Sequence, residues 1–167
     1  MTAEATLVLN HRQIEQKITR IAHELIEHHI DDQEIILVGV TPRGNVLAER
    51  IHSVLVNVGL LKSRIETITL DKNEPLAHPV ACSLSAEEAK NRSIMVVDDV
   101  LNTGKALIFA VKHILSFDPK TLHTITLVDR KHRMFPVRAD YVGLTLATTI
   151  QDHISVEFGN EDKVYLK

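Results

Sequence analysis

Apolar positions recur along this chain with two different periods, and the switches between them outline an alternating series of helices and strands. Ile14, Ile18, Ile21, Ala22, Leu25 and Ile26 fall at helical spacing behind Asn10, a good helix cap, while Arg12, Lys17, Arg20 and Glu27 lie mostly on the other face. That helix ends by His28, His29, Asp31 and Asp32. Residues 34–40, Glu34 followed by an apolar run, read as a parallel strand buried on both faces. Thr41, Pro42, Arg43 and Gly44 lead into a second helix with Val46, Leu47, Ile51, Val54, Leu55 and Val58 on its apolar face and Gly59 as its stop. Residues 65–70 give a weaker strand signal. Residues 71–91 lose periodicity and read as a long loop, a lid rather than an inert connector, with a short strand at 80–84 and a solvated turn at 87–90. A strand at 94–97, a helix from 106 to about 116, a turn at Asp118 and Pro119, and a strand at 123–128 follow. The remainder, at 140–142, 144–150, 155–158 and 163–166, reads as short strands without helices.

This alternation predicts an α/β fold: a doubly wound, mostly parallel sheet flanked by helices, with a small C-terminal β hood. The expected organisation is one domain over residues 1–167, its hood elements spanning roughly 129–167.

The densest chemistry follows the strand at 94–97. Asp98 and Asp99 stand where it leaves the sheet, and Asn102, Thr103, Gly104 and Lys105 turn the chain into the next helix. A loop that feeds a helix N-terminus offers backbone N–H groups and the positive end of a dipole to a phosphate. Carboxylates just before it accept hydrogen bonds from sugar hydroxyls or hold a hydrated cation. Together the residues describe a cradle for ribose 5-phosphate. A pair of acids alone would serve equally as a strand-end turn; the Thr103, Gly104 and Lys105 behind it favour a binding role.

Ligands of open α/β sheets bind beyond the carboxyl ends of the strands. Three stretches meet that rule: 41–44, 98–105 and the basic loop 129–138, which holds Asp129, Arg130, Lys131, His132, Arg133 and Arg138. Their distribution matches a sugar with phosphates at both ends. Competing motifs fail. A Walker A loop would need Gly at 99 and Ser or Thr at 106, where this chain has Asp99 and Ala106, and no GxGxxG is present. The ten histidines include no HExxH and no i,i+4 pair, which argues against a protein-ligated transition metal.

Composition changes the picture little. The 167 residues, 44% hydrophobic, suffice for a sizeable core, and a formal charge of −3 provides no global attraction for a polyanion. The single Cys82 excludes an intrachain disulfide. No apolar run approaches the ~20 residues of a membrane span, residues 1–10 lack the pattern of a secretory signal, and a cytoplasmic protein is expected.

Residues 95–105 resemble the 5-phosphoribosyl 1-diphosphate (PRPP) binding motif of the type I phosphoribosyltransferases, which joins a hydrophobic strand, paired acids and a Thr-Gly turn. Further segments look like the pyrimidine operon attenuator and uracil phosphoribosyltransferase branch: Thr19-Arg20-Ile21-Ala22-His23-Glu24, Arg43-Gly44 with Leu47-Ala48, Val128-Asp129-Arg130 with His132-Arg133, and Arg138-Ala139-Asp140-Tyr141-Val142-Gly143. The resemblance implies Asp98, Asp99 and Arg43 as catalytic residues, the two acids on the ribose hydroxyls. It places the 5-phosphate on Thr103 and the amides of Asn102, Thr103, Gly104 and Lys105, and the pyrophosphate on Thr41, Arg43 and Gly44. The 129–138 loop would select the base, through Asp129, Arg130, Arg133 and Arg138, and Mg²⁺ would ride on PRPP without an assigned protein ligand.

The implied reaction makes UMP from uracil and PRPP; the implied alternative is an RNA-binding attenuator of pyrimidine genes that senses UMP or PRPP. The enzyme ranks first, because the net charge is negative and the chain has two tyrosines and no tryptophan for RNA. A homodimer or larger homo-oligomer is expected. Three positions depart from the pattern: Ala106 replaces a common phosphate-binding hydroxyl, Asn102 replaces an acid of some purine enzymes, and 71–91 is shorter and poorer in arginine than the branch's flexible loop.

Overall fold

The computed structural model describes residues 5–167. A short strand, β1 (Thr6–Leu9), precedes helix α1 (His11–His29), which opens with a capping box between Asn10 and Gln13. Strand β2 (Ile35–Val40), helix α2 (Arg43–Val58) and strand β3 (Ser63–Thr69) follow. Gly59, with a φ of 73°, ends α2 as expected. Next come β4 (Ala81–Cys82), a single-turn helix α3 (Ala86–Ala89), β5 (Ser93–Leu101), α4 (Lys105–Leu115) and β6 (Thr121–Asp129). The chain closes with β7 (Tyr141–Thr145), β8 (Ile154–Glu157) and β9 (Lys163–Leu166).

The main sheet has six strands in the order β4-β3-β2-β5-β6-β7. Only β4 runs antiparallel to its neighbour; the other pairs are parallel. Alternation along the central strands divides the core in two, because successive side chains of a strand point to opposite faces. Ile35, Leu37, Met95 and Val97 pack toward α1 and α2, and Ile36, Val38, Ile94 and Val96 toward α4. Continuous apolar runs of this kind are what a sheet covered on both faces requires.

The small β layer differs from a purely C-terminal hood. Residues 141–145, expected among the hood strands, instead extend the main sheet as β7 beside β6. Strands β8 and β9 pair with the N-terminal β1 in a separate antiparallel sheet of order β1-β9-β8. Leu9, Ile154, Val156 and Val164 are its buried contribution to the α1–α2 core. The expected turn at 87–90 is largely α3, started by a capping box between Ser85 and Glu88. Residues 146–150, expected as strand, carry no regular structure. Among the described residues no helix is long and apolar enough to cross a membrane.

Candidate functional site

Strand β2 hands the chain to β3 on one side, and β5 hands it to β6 on the other, so the winding reverses between β2 and β5. A crevice at the carboxyl ends of those two strands is where open α/β sheets take ligands. Here a cleft of about 270 Å³ is lined by Arg43 from α2, Asp98 and Asp99 from β5, residues 102–107, Lys72 and Asn73 from the long loop, and His153 and Ile154 from the hood.

The acids lie within the strand rather than in a loop after it. Strand β5 continues through Leu101, so Asp98 and Asp99 are held in sheet register, Asp98 opposite Thr126. They retain 4% and 2% exposure. Asp99 shares the parity of Met95 and Val97 and meets α2: Arg43 Nε donates to Asp99 Oδ2 at 2.7 Å. Asp98 points to the other face, where its Oδ1 accepts from the Asp99 amide at 2.9 Å and from Lys72 Nζ at 3.3 Å. Burial and the neighbouring charge of Asp99 push Asp98 far above the ordinary carboxylate range, to about 7, against the pull of Lys72. One carboxylate is thus held by a cation beside a second that gives up its charge easily, a pair suited to accepting hydroxyl donors.

The turn behind the acids is shaped for an anion. Gly104 has a φ of 86° and caps α4 without a side chain, and the first residues of the helix, 105–107, line the cleft. A Cβ on Gly104 would stand 2.6 Å from Val137 Cγ1, so glycine is needed for conformation and for space. The Thr103 hydroxyl accepts from the Lys105 amide at 3.3 Å. Its carbonyl accepts from Met134 and Phe135, which ties the turn to the basic loop.

The anticipated site residues separate into groups. Arg43, Asp98, Asp99, Asn102, Thr103, Gly104 and Lys105 share the cleft. Thr41 and Gly44 do not line it. The Thr41 hydroxyl pairs with that of Thr69 at 2.7 Å, and Gly44 is a packing position, since a Cβ there would lie 2.4 Å from the Val97 carbonyl oxygen. The basic-loop residues also stand outside the cleft lining. Asp129 accepts from the Lys131 amide and pairs with Arg133. Arg130 Nε donates to Thr148 Oγ1 at 2.8 Å, and its terminal nitrogens reach Thr149 O at 2.9 Å and Asn102 Oδ1 at 3.4 Å. Arg133 and Arg138 border a separate shallow depression with Phe135, Pro136 and Val137.

Sequence reasoning passed over Lys72, Asn73, His153 and Ile154. The first two follow β3, a fourth strand carboxyl end whose polar exit was a usable signal; His153 and Ile154 carry none, because only the folding back of the hood brings them to the cleft. Cys82 is half-buried at the sheet edge, and burial pushes its thiol up, away from reactivity. Among the described residues no three His, Cys, Asp or Glu side chains converge as a protein metal cage would need. Two adjacent carboxylates on a cleft floor fit a Mg²⁺ that keeps most of its waters and takes its other oxygens from a substrate diphosphate.

Comparison with known proteins agrees with this fold. A family model described as "Phosphoribosyl transferase domain" matches residues 4–162. A protein of Clostridium kluyveri named "Bifunctional protein PyrR" is 34% identical over 94% of this chain and 92% of its own length. The protein of the same name from Pelotomaculum thermopropionicum is 35% identical, covering 99% of this chain and 97% of its own. Among solved structures, a hypoxanthine-guanine phosphoribosyltransferase of Bacillus anthracis superposes with a TM-score of 0.72 at 21% identity, over 87% of this chain and 85% of that one. The hypoxanthine phosphoribosyltransferase of Trypanosoma cruzi gives 0.74 at 18% identity, over 91% of this chain and 85% of that one. These likenesses at low identity speak for the fold alone.

Proposed function

This chain belongs to the phosphoribosyl transferase family, and on that premise we propose that it transfers ribose 5-phosphate from PRPP to uracil, releasing pyrophosphate and forming UMP. The observation that carries the reading is the joining, in one cleft at the winding reversal, of a buried acid pair with a helix N-terminus whose cap is a glycine.

In this reading Asp98 and Asp99 accept the ribose 2- and 3-hydroxyls, and Thr103 with the amides of 102–105 holds the 5-phosphate. Arg43 faces the leaving pyrophosphate while its Nε keeps Asp99 in place. Thr41 and Gly44 serve the same loop from behind, one bracing β2 against β3, the other letting α2 approach β5. Positive charge develops at the anomeric carbon as the bond to pyrophosphate loosens, so rate comes from alignment and from fixed charges at both ends. Mg²⁺ bound with PRPP would supply charge neutralisation at the diphosphate. The 129–138 loop governs the base: Arg130 ties Asn102 to residues 148–150, and that strap leads to His153 and Ile154 on the cleft wall. Asp129 and Arg133 hold the loop's shape, and Arg138 pairs with Asp140 at 3.7 Å.

The test is pyrophosphate release from PRPP, Mg²⁺ and a panel of nucleobases, with products weighed by mass spectrometry. UMP should form, and Asp98→Asn combined with Asp99→Asn should abolish it. Unchanged turnover in that double variant would remove the assignment.

The second reading, RNA-binding attenuation, would rest on Arg12, Arg20 and His23 of α1 with the 130–138 loop. These three are exposed, but Arg20 already bonds Glu24 and the carbonyls of Val142 and Gly143 along the edge strand β7. Retention of pyrimidine-leader RNA on filters at two salt concentrations decides it, since binding without salt dependence is not phosphate recognition.

A further inference from the structure

Three buried hydroxyls, those of Ser93, Thr121 and Thr126, have no hydrogen-bond partner among the described residues. Ser93 and Thr121 are paired with each other at the amino ends of β5 and β6, the end away from the cleft. Thr126 stands elsewhere: it lies directly opposite Asp98 in the β5–β6 ladder and has no exposed surface. Residues paired across neighbouring strands project to the same face of a sheet. Asp98 and Thr126 share the parity of Val96 and Leu122, which pack toward α4.

A hydroxyl buried without a partner is costly, and few acceptors surround this one. On its other side Thr126 is paired with Val142, whose side chain offers none. Two residues back on the same strand and face, Thr124 is already committed: it donates to the Arg138 carbonyl at 2.6 Å and accepts from the Asp140 amide at 3.2 Å. The core on this face is otherwise apolar, with Val96, Leu101, Leu107 and Val137 among its members. Asp98 is the remaining polar neighbour. Its Oδ1 accepts from the Asp99 amide and from Lys72, while its Oδ2 has no partner among the described residues. Neighbouring strands lie about 4.8 Å apart, so rotation about side-chain bonds suffices to bring the hydroxyl to the carboxylate.

Occupation of the cleft supplies the reason for that rotation. Asp98 keeps 4% exposure, and in the open cleft water serves its unpaired oxygen. A ligand that covers the acid removes the water, and an oxygen with two lone pairs then needs donors from both sides. A sugar hydroxyl arrives from the cleft; Thr126 stands on the sheet side. We propose that Thr126 is a positioning residue for Asp98: its hydroxyl, unused in the open cleft, donates to the Asp98 carboxylate once a sugar hydroxyl covers it, and holds that carboxylate turned toward the sugar. The inference rests on the PRPP reading above, which makes Asp98 a hydroxyl acceptor, and adds a residue that lies outside the cleft lining. Thr126 then contributes to sugar binding and not to folding.

Calorimetric titration with ribose 5-phosphate and with inorganic phosphate, beside thermal unfolding, tests it on the full chain, Thr126→Val and Thr126→Ser. Valine keeps the shape and removes the hydroxyl. Thr126→Val should bind ribose 5-phosphate about tenfold more weakly, the loss of one hydrogen bond to a charged acceptor, and should bind inorganic phosphate as the wild type does. It should also melt no lower, because the group it removes has no partner in the empty fold. Thr126→Ser keeps the hydroxyl and loses a methyl, so it should melt lower yet retain most of the wild-type affinity. A merely structural threonine would move stability and affinity together. The proposal is overturned, and the PRPP reading left intact, by unchanged ribose 5-phosphate affinity or a lower melting temperature in Thr126→Val, by a loss that inorganic phosphate shares, or by a serine variant as weak as the valine one. A wild-type chain that binds neither ribose 5-phosphate nor PRPP with Mg²⁺ overturns both.

Discussion

Arg43 Nε donates to Asp99 Oδ2 at 2.7 Å, joining the first residue of α2 to the end of β5 across the winding reversal of the sheet. The carboxylate is buried, and the arginine side chain is 55% exposed. One nitrogen therefore fixes the acid while the terminal nitrogens stay available to an incoming diphosphate. Arg43→Ala should lower kcat for pyrophosphate release about 10²- to 10³-fold, the usual cost of losing a preorganised donor to transition-state charge. Arg43→Lys should recover little, since a compact ammonium lacks the planar fork that holds Asp99 through Nε and leaves two terminal nitrogens for phosphate. Recovery to wild-type rate in the lysine variant would show that charge alone is used.

Asp98 makes binding depend on pH. Its pKa in the fold, raised to about 7 from 3.8, means that the folded chain holds a proton the unfolded chain has lost. The stability from this group is fully present below 3.8 and is lost as pH rises through about 7. Ligand hydroxyls need the carboxylate form, so the sign reverses for binding: affinity for PRPP with Mg²⁺ should rise with pH and level off above about 7, with a proton released on binding below that value. Calorimetry in two buffers of different ionisation enthalpy reads the proton directly. Affinity that falls with pH over this range would mean that Asp98 binds as the acid.

Much of this arrangement was legible along the chain, and the parts that were not share a cause. Runs such as Ile35–Val40 are local signals for strands covered on both faces, and the acids with Thr103 and Gly104 are contiguous, so pattern and chemistry coincide. The packing demand at Gly44 was not legible, because the approach of α2 to the Val97 carbonyl is set by packing between elements far apart in sequence. The internal bonding of the basic loop was hidden for a related reason: Arg130 spends its guanidinium on Asn102 and on residues 148–149, partners 18 and 19 positions away in the latter case. Strand β1 was missed because its pairing partner, β9, lies at the other end of the chain.

Asp162 pins the small sheet to the helices. It has no exposed surface, its Oδ1 accepts from Arg50 of α2 at 3.0 Å and from the Gly159 amide at 2.9 Å, and His11 Nδ1 stands 3.3 Å from its Oδ2. That imidazole nitrogen also lies 3.1 Å from the Asp162 amide, and it can accept there or donate to the carboxylate, not both. Arg50 and His11 are each about a third exposed, so solvent weakens both pairs. Asp162→Ala should cost about 2–3 kcal/mol, below the full value for breaking a buried ion pair. A chain of this size should then melt roughly 4–12 °C lower. Thermal unfolding followed by circular dichroism checks this, and an unchanged midpoint would mean that the apolar residues of β8 and β9 hold the sheet alone.

Ala106 is the second residue of α4 and borders the cleft where the turn presents its amides. Replacing it by serine adds a hydroxyl at a position whose backbone already faces the proposed 5-phosphate. A hydrogen bond to a charged acceptor contributes about 1.5–3 kcal/mol, while the lower helix propensity of serine acts on folding and not on binding. Ala106→Ser should therefore bind ribose 5-phosphate about ten- to hundredfold more tightly, by the conversion of 1.4 kcal/mol per tenfold. The gain should appear equally with PRPP, because the contact is to the phosphate they share, and it should be absent with pyrophosphate alone. That pattern separates a phosphate contact from general tightening of the cleft, and an affinity for ribose 5-phosphate that does not change would move the phosphate off the start of α4.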